Sequence, residues 1–185
     1  MKTIRMFALS AAAFVLLFAS GAKAQEKFGP MYFGVSGGVY APAGTDLNDA
    51  DAKTGFVGLV TGGYMFSPFF GAQTDLGYFE TSGNDNLKIA SIPLAFSLKL
   101  AIPIAFVEPY VLGGGGVYFT KIKGEEQFSD VSSTDFGAHA AGGVNFIFGK
   151  FQVGAEARYI WLKAADAADL VIEGFQVMGT LGMRF

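Results

Sequence analysis

The sequence predicts an all-β protein: an eight-stranded antiparallel up-and-down transmembrane β-barrel preceded by a cleaved signal peptide. Three observations predict it. Apolar residues recur at every second position through most of the chain, which is the strand period and not the helical one. The links between these alternating stretches are short and long in turn. The composition is greasy, with 51% hydrophobic and 16% charged residues and 20 Phe and 26 Gly in 185 positions.

The N-terminus comes first. Lys2 and Arg5 precede an apolar run from Met6 to about Ala19, and Gly21-Ala22-Lys23-Ala24 then supplies small residues of the kind a signal peptidase reads. The run is too short for a membrane anchor, so residues 1–24 are expected to be a signal peptide. A short periplasmic segment follows over 25–30, and the barrel occupies 31–185. There is no Cys, hence no acylated N-terminus and no disulfide framework. Removing the three basic residues of the signal leaves 10 basic against 16 acidic, a net of −6. That balance excludes a nucleic-acid binder, which needs a concentrated basic footprint. The mature chain has no run of about 20 apolar residues, so a membrane helix is excluded too.

The strands follow in order. Near 31–40, Met31, Phe33, Val35 and Val39 oppose Tyr32, Gly34, Ser36, Gly38 and Tyr40. Strand two, Phe56–Phe66, has no assignable facing, because Thr61 is its only clearly polar side chain. Strand three sets Phe70, Ala72, Thr74, Leu76 and Tyr78 against Gly71, Gln73, Asp75 and Gly77. Strand four sets Ile92, Leu94, Phe96, Leu98, Leu100 and Ile102 against Ser91, Ala95, Ser97 and Lys99. Strand five sets Val107, Val111, Val117 and Phe119 against Glu108, Tyr110, Gly114, Gly116 and Tyr118. In strand six, Phe136, Ala138, Ala140, Val144, Phe146 and Phe148 oppose Gly137, His139, Gly143 and Asn145. Strand seven, FQVGAEARYIWLK, sets Phe151, Val153, Ala155, Ala157, Tyr159 and Trp161 against Gln152, Gly154, Glu156 and Arg158. Strand eight sets Phe175, Val177, Leu181, Met183 and Phe185 against Gln176, Thr180 and Arg184.

Short turns are expected at Ser67-Pro68, around Pro103-Ile104-Ala105 and at Gly149-Lys150. Longer polar links are expected at about 41–54, 81–87, 121–135 and 164–173, and they hold most of the mature acids. Tight turns at one end and long loops at the other are the connection pattern of outer-membrane barrels.

A soluble, lipocalin-like barrel would turn the large apolar face inward, and a membrane barrel turns it outward to lipid. Three features favour lipid. The apolar face carries no mid-strand charge on the seven strands that can be phased, and a mid-bilayer Arg or Lys costs roughly 2–4 kcal/mol. Its aromatics gather at two levels. Phe33, Phe70, Phe146, Phe148, Phe151 and Phe185 fall near the periplasmic rim, and Tyr78, Phe119, Phe136, Tyr159, Trp161 and Phe175 near the outer rim. Phe96 is the main exception. Such belts are what two lipid–water interfaces select. Finally, the opposite face is small and polar. On it, Asp75, Glu108 and Glu156 are matched in number by Lys99, Arg158 and Arg184, with Gln73, His139 and Asn145 beside them. Burial of six charges in a narrow lumen requires that they pair.

The chain resembles the small eight-stranded outer-membrane barrels of the OmpA/OmpX-like class, the outer membrane protein β-barrel domain group. The likeness is carried by Gly62-Gly63-Tyr64-Met65-Phe66 before Ser67-Pro68, and by Pro109-Tyr110-Val111. Gly142-Gly143-Val144, Glu156-Ala157-Arg158-Tyr159 and the terminal Gly182-Met183-Arg184-Phe185 complete it. It covers essentially all of 31–185. The resemblance implies a Gram-negative envelope protein whose last strand is read by the barrel-assembly machinery. Val177, Leu181, Met183 and Phe185 match that signal, with Gly179 a weak member. It also implies outer-membrane lipids and lipopolysaccharide as partners.

Sites for chemistry are few. His139 is the only histidine and its parity places it in the lumen, where hydrogen-bonded packing is the expected role. Some barrels of this size modify lipid A, but with His and Ser near the outer rim or lipid face, so no catalytic residue is expected here. Gly113–Gly116 lacks the Gly-Lys-Ser/Thr of a phosphate loop. No metal or cofactor site is expected. The loop Ile122–Asp135, with Glu125, Glu126 and Asp130, is expected to be solvated, and no loop partner can be named. The expected function is structural or surface-interacting, with a narrow channel for small or apolar solutes as the alternative and a lipid A enzyme behind both.

Overall fold

The computed structural model describes residues 31–43, 53–82, 88–123, 131–163 and 171–185. Residues 1–24, where a signal peptide is expected, residues 25–30 and most of the four long links lie outside them. Eight strands run in chain order: β1 (Met31–Ala43), β2 (Gly55–Met65), β3 (Phe70–Ser82), β4 (Lys88–Ala101), β5 (Val107–Lys123), β6 (Val131–Phe148), β7 (Phe151–Lys163) and β8 (Val171–Arg184). They form one closed barrel in sequence order. Every neighbour pair is antiparallel, and β8 closes on β1 from Tyr32↔Arg184 to Ala43↔Glu173. Closure leaves no free sheet edge, which is what a spanning sheet requires in a medium with no water to bond its backbone.

The three short turns stand where the sequence places them and mark one end of the barrel, the end expected to face the periplasm, with Met31 and Phe185 beside them. At the β2–β3 turn, Ser67 Oγ accepts from the amides of Phe69 and Phe70 at 3.3 and 3.1 Å. The β6–β7 turn is the two residues Gly149-Lys150. Gly149 has φ +60°, a left-handed conformation that only glycine takes without a Cβ penalty.

The expected extent of the link at 121–135 is corrected. The β5–β6 hairpin runs farther outward than the polar composition suggests, to Lys123 and back from Val131. Asp135 therefore belongs to β6 and not to a solvated loop. It is 1% exposed, and its carboxylate accepts from Ser133 Oγ at 2.7 Å. A stretch rich in Ser and acids reads as a loop only while its inward positions have no partner.

The ambiguous strand is resolved by register. Thr61 pairs with Asp75, so Val57, Leu59, Thr61, Gly63 and Met65 point inward, while Phe56, Val60 and Phe66 point to lipid. The lumen is correspondingly less polar than its small residues suggest. Toward the loop end, Tyr40, Val57, Leu59, Phe79, Ile89, Tyr118, Ile160, Leu162 and Met178 form a buried apolar cluster. An eight-stranded barrel is just wide enough for side chains to fill, and large aliphatic groups fill it as well as polar ones.

Candidate functional site

Inward-facing positions build the lumen, and glycine makes its large polar groups possible. Gly63 lies opposite Tyr32 and Gly143 opposite Tyr110. A Cβ on Gly63 would sit 2.1 Å from Tyr32 Cζ, and one on Gly143 2.5 Å from Tyr110 Cζ. Each ring lies over a bare backbone, the aromatic cover of a glycine seen in curved sheets.

The six charged residues gather into two groups. In the first, Arg158 binds Asp75 and Glu156, both at 2.8 Å. Asp75 also accepts from Thr61 Oγ1 at 2.7 Å and from Gln73 Nε2 at 3.0 Å, and Gln73 in turn accepts from Tyr32. In the second, Glu108 binds Arg184 at 2.5 Å and Lys99 at 3.4 Å, and accepts from Asn145 Nδ2 at 3.3 Å. Arg184 Nε donates to Gln152 at 2.8 Å. Two carboxylates face one guanidinium in the first group, and two cations face one carboxylate in the second. Their residual charges are opposite. Tyr110 joins the groups: its hydroxyl donates to Glu156 at 2.8 Å while Lys99 Nζ sits 4.2 Å from its ring centroid. Both halves are thus compensated in a place where unpaired charge costs several kcal/mol per ion.

His139 is also inward and buried. One nitrogen, Nε2, lies 2.7 Å from Ser97 Oγ, and Nδ1 has no partner among the described residues. No acid orients the ring through Nδ1, so the pair lacks the third member that activates a serine. Among the described residues there is no group of three potential ligands for a metal ion. Beside the network lies a cavity of about 30 Å³ whose lining includes Ser36, Gln152, Glu156 and Thr180. That is room for about two water molecules, not a solute.

The residues that sequence reasoning did not single out are Tyr32, Thr61, Ser97, Tyr110 and Gln152. Apart from Thr61 on the unphased strand, all lie on inward parity, and an acceptor or donor at such a position is the signal that finds them.

All twelve aromatics of the expected belts point outward from the barrel, with Phe119 and Tyr159 the less exposed members. At the outer rim Tyr159 packs edge-on against Trp161 and Phe175, each at 4.6 Å between centroids, and its hydroxyl donates to Glu173 at 2.6 Å. Tyr78 donates likewise to Glu80 at 2.5 Å. Rings in the acyl region with hydroxyls directed to charge suit an interface. Val177, Leu181, Met183 and Phe185 all face outward on the last strand.

The model of the family described as "Outer membrane protein beta-barrel domain" matches residues 10–185. The chain belongs to this family of outer-membrane barrels. Among solved structures it is similar to Neisserial surface protein A, at 17% identity over 84% of this chain and 97% of that one, with a TM-score of 0.64. It is also similar to Ail, the attachment invasion locus protein of Yersinia pestis, in complex with the heparin analogue sucrose octasulfate. There the identity is 17% over 86% and 100% of the chains, with a TM-score of 0.53. The N-terminal β-barrel domain of Pseudomonas aeruginosa OprF gives 13% over 85% and 99%, with a TM-score of 0.51. At these identities the likeness shows the fold alone. No curated protein matches the chain.

Proposed function

We propose that this protein is a non-conducting outer-membrane barrel that braces the membrane and presents its outer loops as a contact surface. The observation that carries the reading is the filled lumen. Two ion-pair groups occupy its middle and periplasmic part, and the nine-residue apolar cluster lies above them toward the loops. An ion entering from outside meets Asp135 and this packed aliphatic and aromatic cluster before it reaches either ion-pair group. The inward, singly bonded His139 supports a structural and not a catalytic role. Outer-membrane lipids and lipopolysaccharide are the partners this reading assigns, with the assembly machinery during biogenesis.

The loop sequences narrow the surface role. Segments 44–52, 83–87, 124–130 and 164–170 hold nine acids (Asp46, Asp49, Asp51, Asp85, Glu125, Glu126, Asp130, Asp166 and Asp169), while Lys53, Lys88, Lys121, Lys123 and Lys163 stand at or beside the strand ends that flank them. With nine acids against five flanking lysines the loop end is net acidic, which favours cationic or cation-bridged contacts.

Planar-bilayer recording tests the reading. The unmutated protein is expected to give no resolved channel steps, and Lys99→Ala or Arg158→Ala to raise leakage by opening the network. Clear open channels in the unmutated protein would overturn the proposal in favour of a narrow solute channel.

A further inference from the structure

Exposed protein turns are normally built from Gly, Asn, Asp, Ser and Pro. Two of the three periplasmic turns set large apolar side chains beside such residues. The β2–β3 connection reads Phe66-Ser67-Pro68-Phe69, and the β4–β5 connection Ile102-Pro103-Ile104-Ala105-Phe106, with no charged residue in either. Phe66, Phe69, Ile102, Ile104 and Phe106 are each at least half exposed. Ala105 holds φ 54°, a conformation in which Gly or Asn is the usual occupant, yet the position carries a methyl group.

Much of their backbone is bonded from within. The Ser67 amide donates to Phe70 O at 3.1 Å, and Ser67 Oγ takes the next two available amides, Pro68 having none. Ile104 and Val107 exchange both of their backbone bonds, at 2.8 and 2.9 Å. Carbonyls that would face outward are used by the next hairpin: Phe69 O accepts from Ala101 N at 2.9 Å, and Phe106 O from Ile147 N at 2.8 Å. Bonding these groups internally lowers the cost of immersing the surrounding apolar side chains in lipid, where an unbonded backbone group costs several kcal/mol. The rings also continue the lipid-facing belt. Phe66 lies 5.7 Å from Phe70, and Phe106 lies 6.5 and 6.4 Å from Phe146 and Phe148.

The third turn is different. Gly149-Lys150 places an exposed cation at its tip. We propose that the β2–β3 and β4–β5 turns are embedded in the periplasmic phospholipid leaflet below its headgroups, while Lys150 stays at the water surface. The barrel then sits deeper on its β2–β5 side, and lipid acyl chains, not a periplasmic protein, cover Phe69 and Phe106.

The sole tryptophan, Trp161, makes this measurable. In a Trp161→Phe background, Phe69→Trp, Phe106→Trp and Lys150→Trp are each folded into phosphatidylcholine vesicles, with heat-modifiable gel mobility confirming the barrel. Tryptophan at 69 or 106 is expected to emit at shorter wavelength than at 150. It should lose intensity to lipids brominated near the carboxyl end of the acyl chain, and resist acrylamide. The 150 variant lies on the same side and controls for access to the quencher. Should one phenylalanine variant fail to fold, the other decides. Acrylamide quenching at 69 and 106 as strong as at 150 would overturn the proposal.

Discussion

Arg158 Nη2 lies 2.8 Å from Asp75 Oδ2, although β7 and β3 stand on opposite sides of the eight-stranded barrel. The bond is a strut across the lumen. Both side chains are almost fully buried, so the pair has no water to fall back on, and Glu156 shares the same guanidinium at 2.8 Å.

Removing the strut leaves two carboxylates facing each other in a closed space. Arg158→Ala is expected to lower stability by about 3–5 kcal/mol, the range for a buried pair broken from one side. Urea unfolding in vesicles, followed by heat-modifiable mobility, reads the change. Adding Asp75→Asn and Glu156→Gln to the variant should recover much of the loss, because the orphaned charges go with them. An unshifted transition in Arg158→Ala would remove the strut from any account of stability.

Neighbouring glycines on β6 separate the two faces of the sheet. A Cβ at Gly143 would meet the Tyr110 ring at 2.5 Å and a backbone oxygen at 2.6 Å, whereas one at Gly142 finds nothing nearer than 3.8 Å. Gly143→Ala is therefore expected to cost about 1–3 kcal/mol through overpacking. Gly142→Ala, which adds a methyl to the lipid face, should change little. Equal unfolding midpoints for the two variants would contradict the placement of Tyr110.

Alternation alone placed Glu156, Arg158 and the other charges in the lumen, because polarity differs between the two faces wherever one face is charged. It failed on β2, where Val57 and Leu59 point inward and Val60 outward: all three are aliphatic, so polarity has nothing to sort. The same limit hid the apolar cluster, since Ile160 and Met178 resemble lipid-facing residues. Pair identities were equally out of reach. Arg158 and Asp75 are 83 residues apart, and only the register of the closed sheet brings them together. Asp135 was misplaced because its inward partner, Ser133, is itself a loop-type residue.

The apolar cluster makes its own prediction. Ile160 is 1% exposed inside the lumen, while Leu94 on the outer face is 45% exposed to lipid. Ile160→Ala leaves a cavity that the closed sheet cannot collapse around, and is expected to cost about 2–5 kcal/mol. Leu94→Ala should cost clearly less, because acyl chains fill the space. Comparable losses at the two sites, measured by the same urea unfolding, would mean that the interior is not packed.

Depth on the outer face can be read with a single charge. Phe96 lies on the lipid side between the two aromatic belts, and Phe136 lies at the outer belt. An arginine introduced at mid-bilayer has no partner and a long path to either interface, so Phe96→Arg is expected to cost about 2–4 kcal/mol, against about 0–1 for Phe136→Arg near the interface. Folding into vesicles of decreasing acyl length sharpens the contrast: thinner bilayers bring Phe96→Arg closer to water and should relieve its defect while leaving Phe136→Arg unchanged. If both variants fold equally well at every thickness, the face bearing Phe96 does not meet hydrocarbon, and the outward orientation of the apolar face is lost with it.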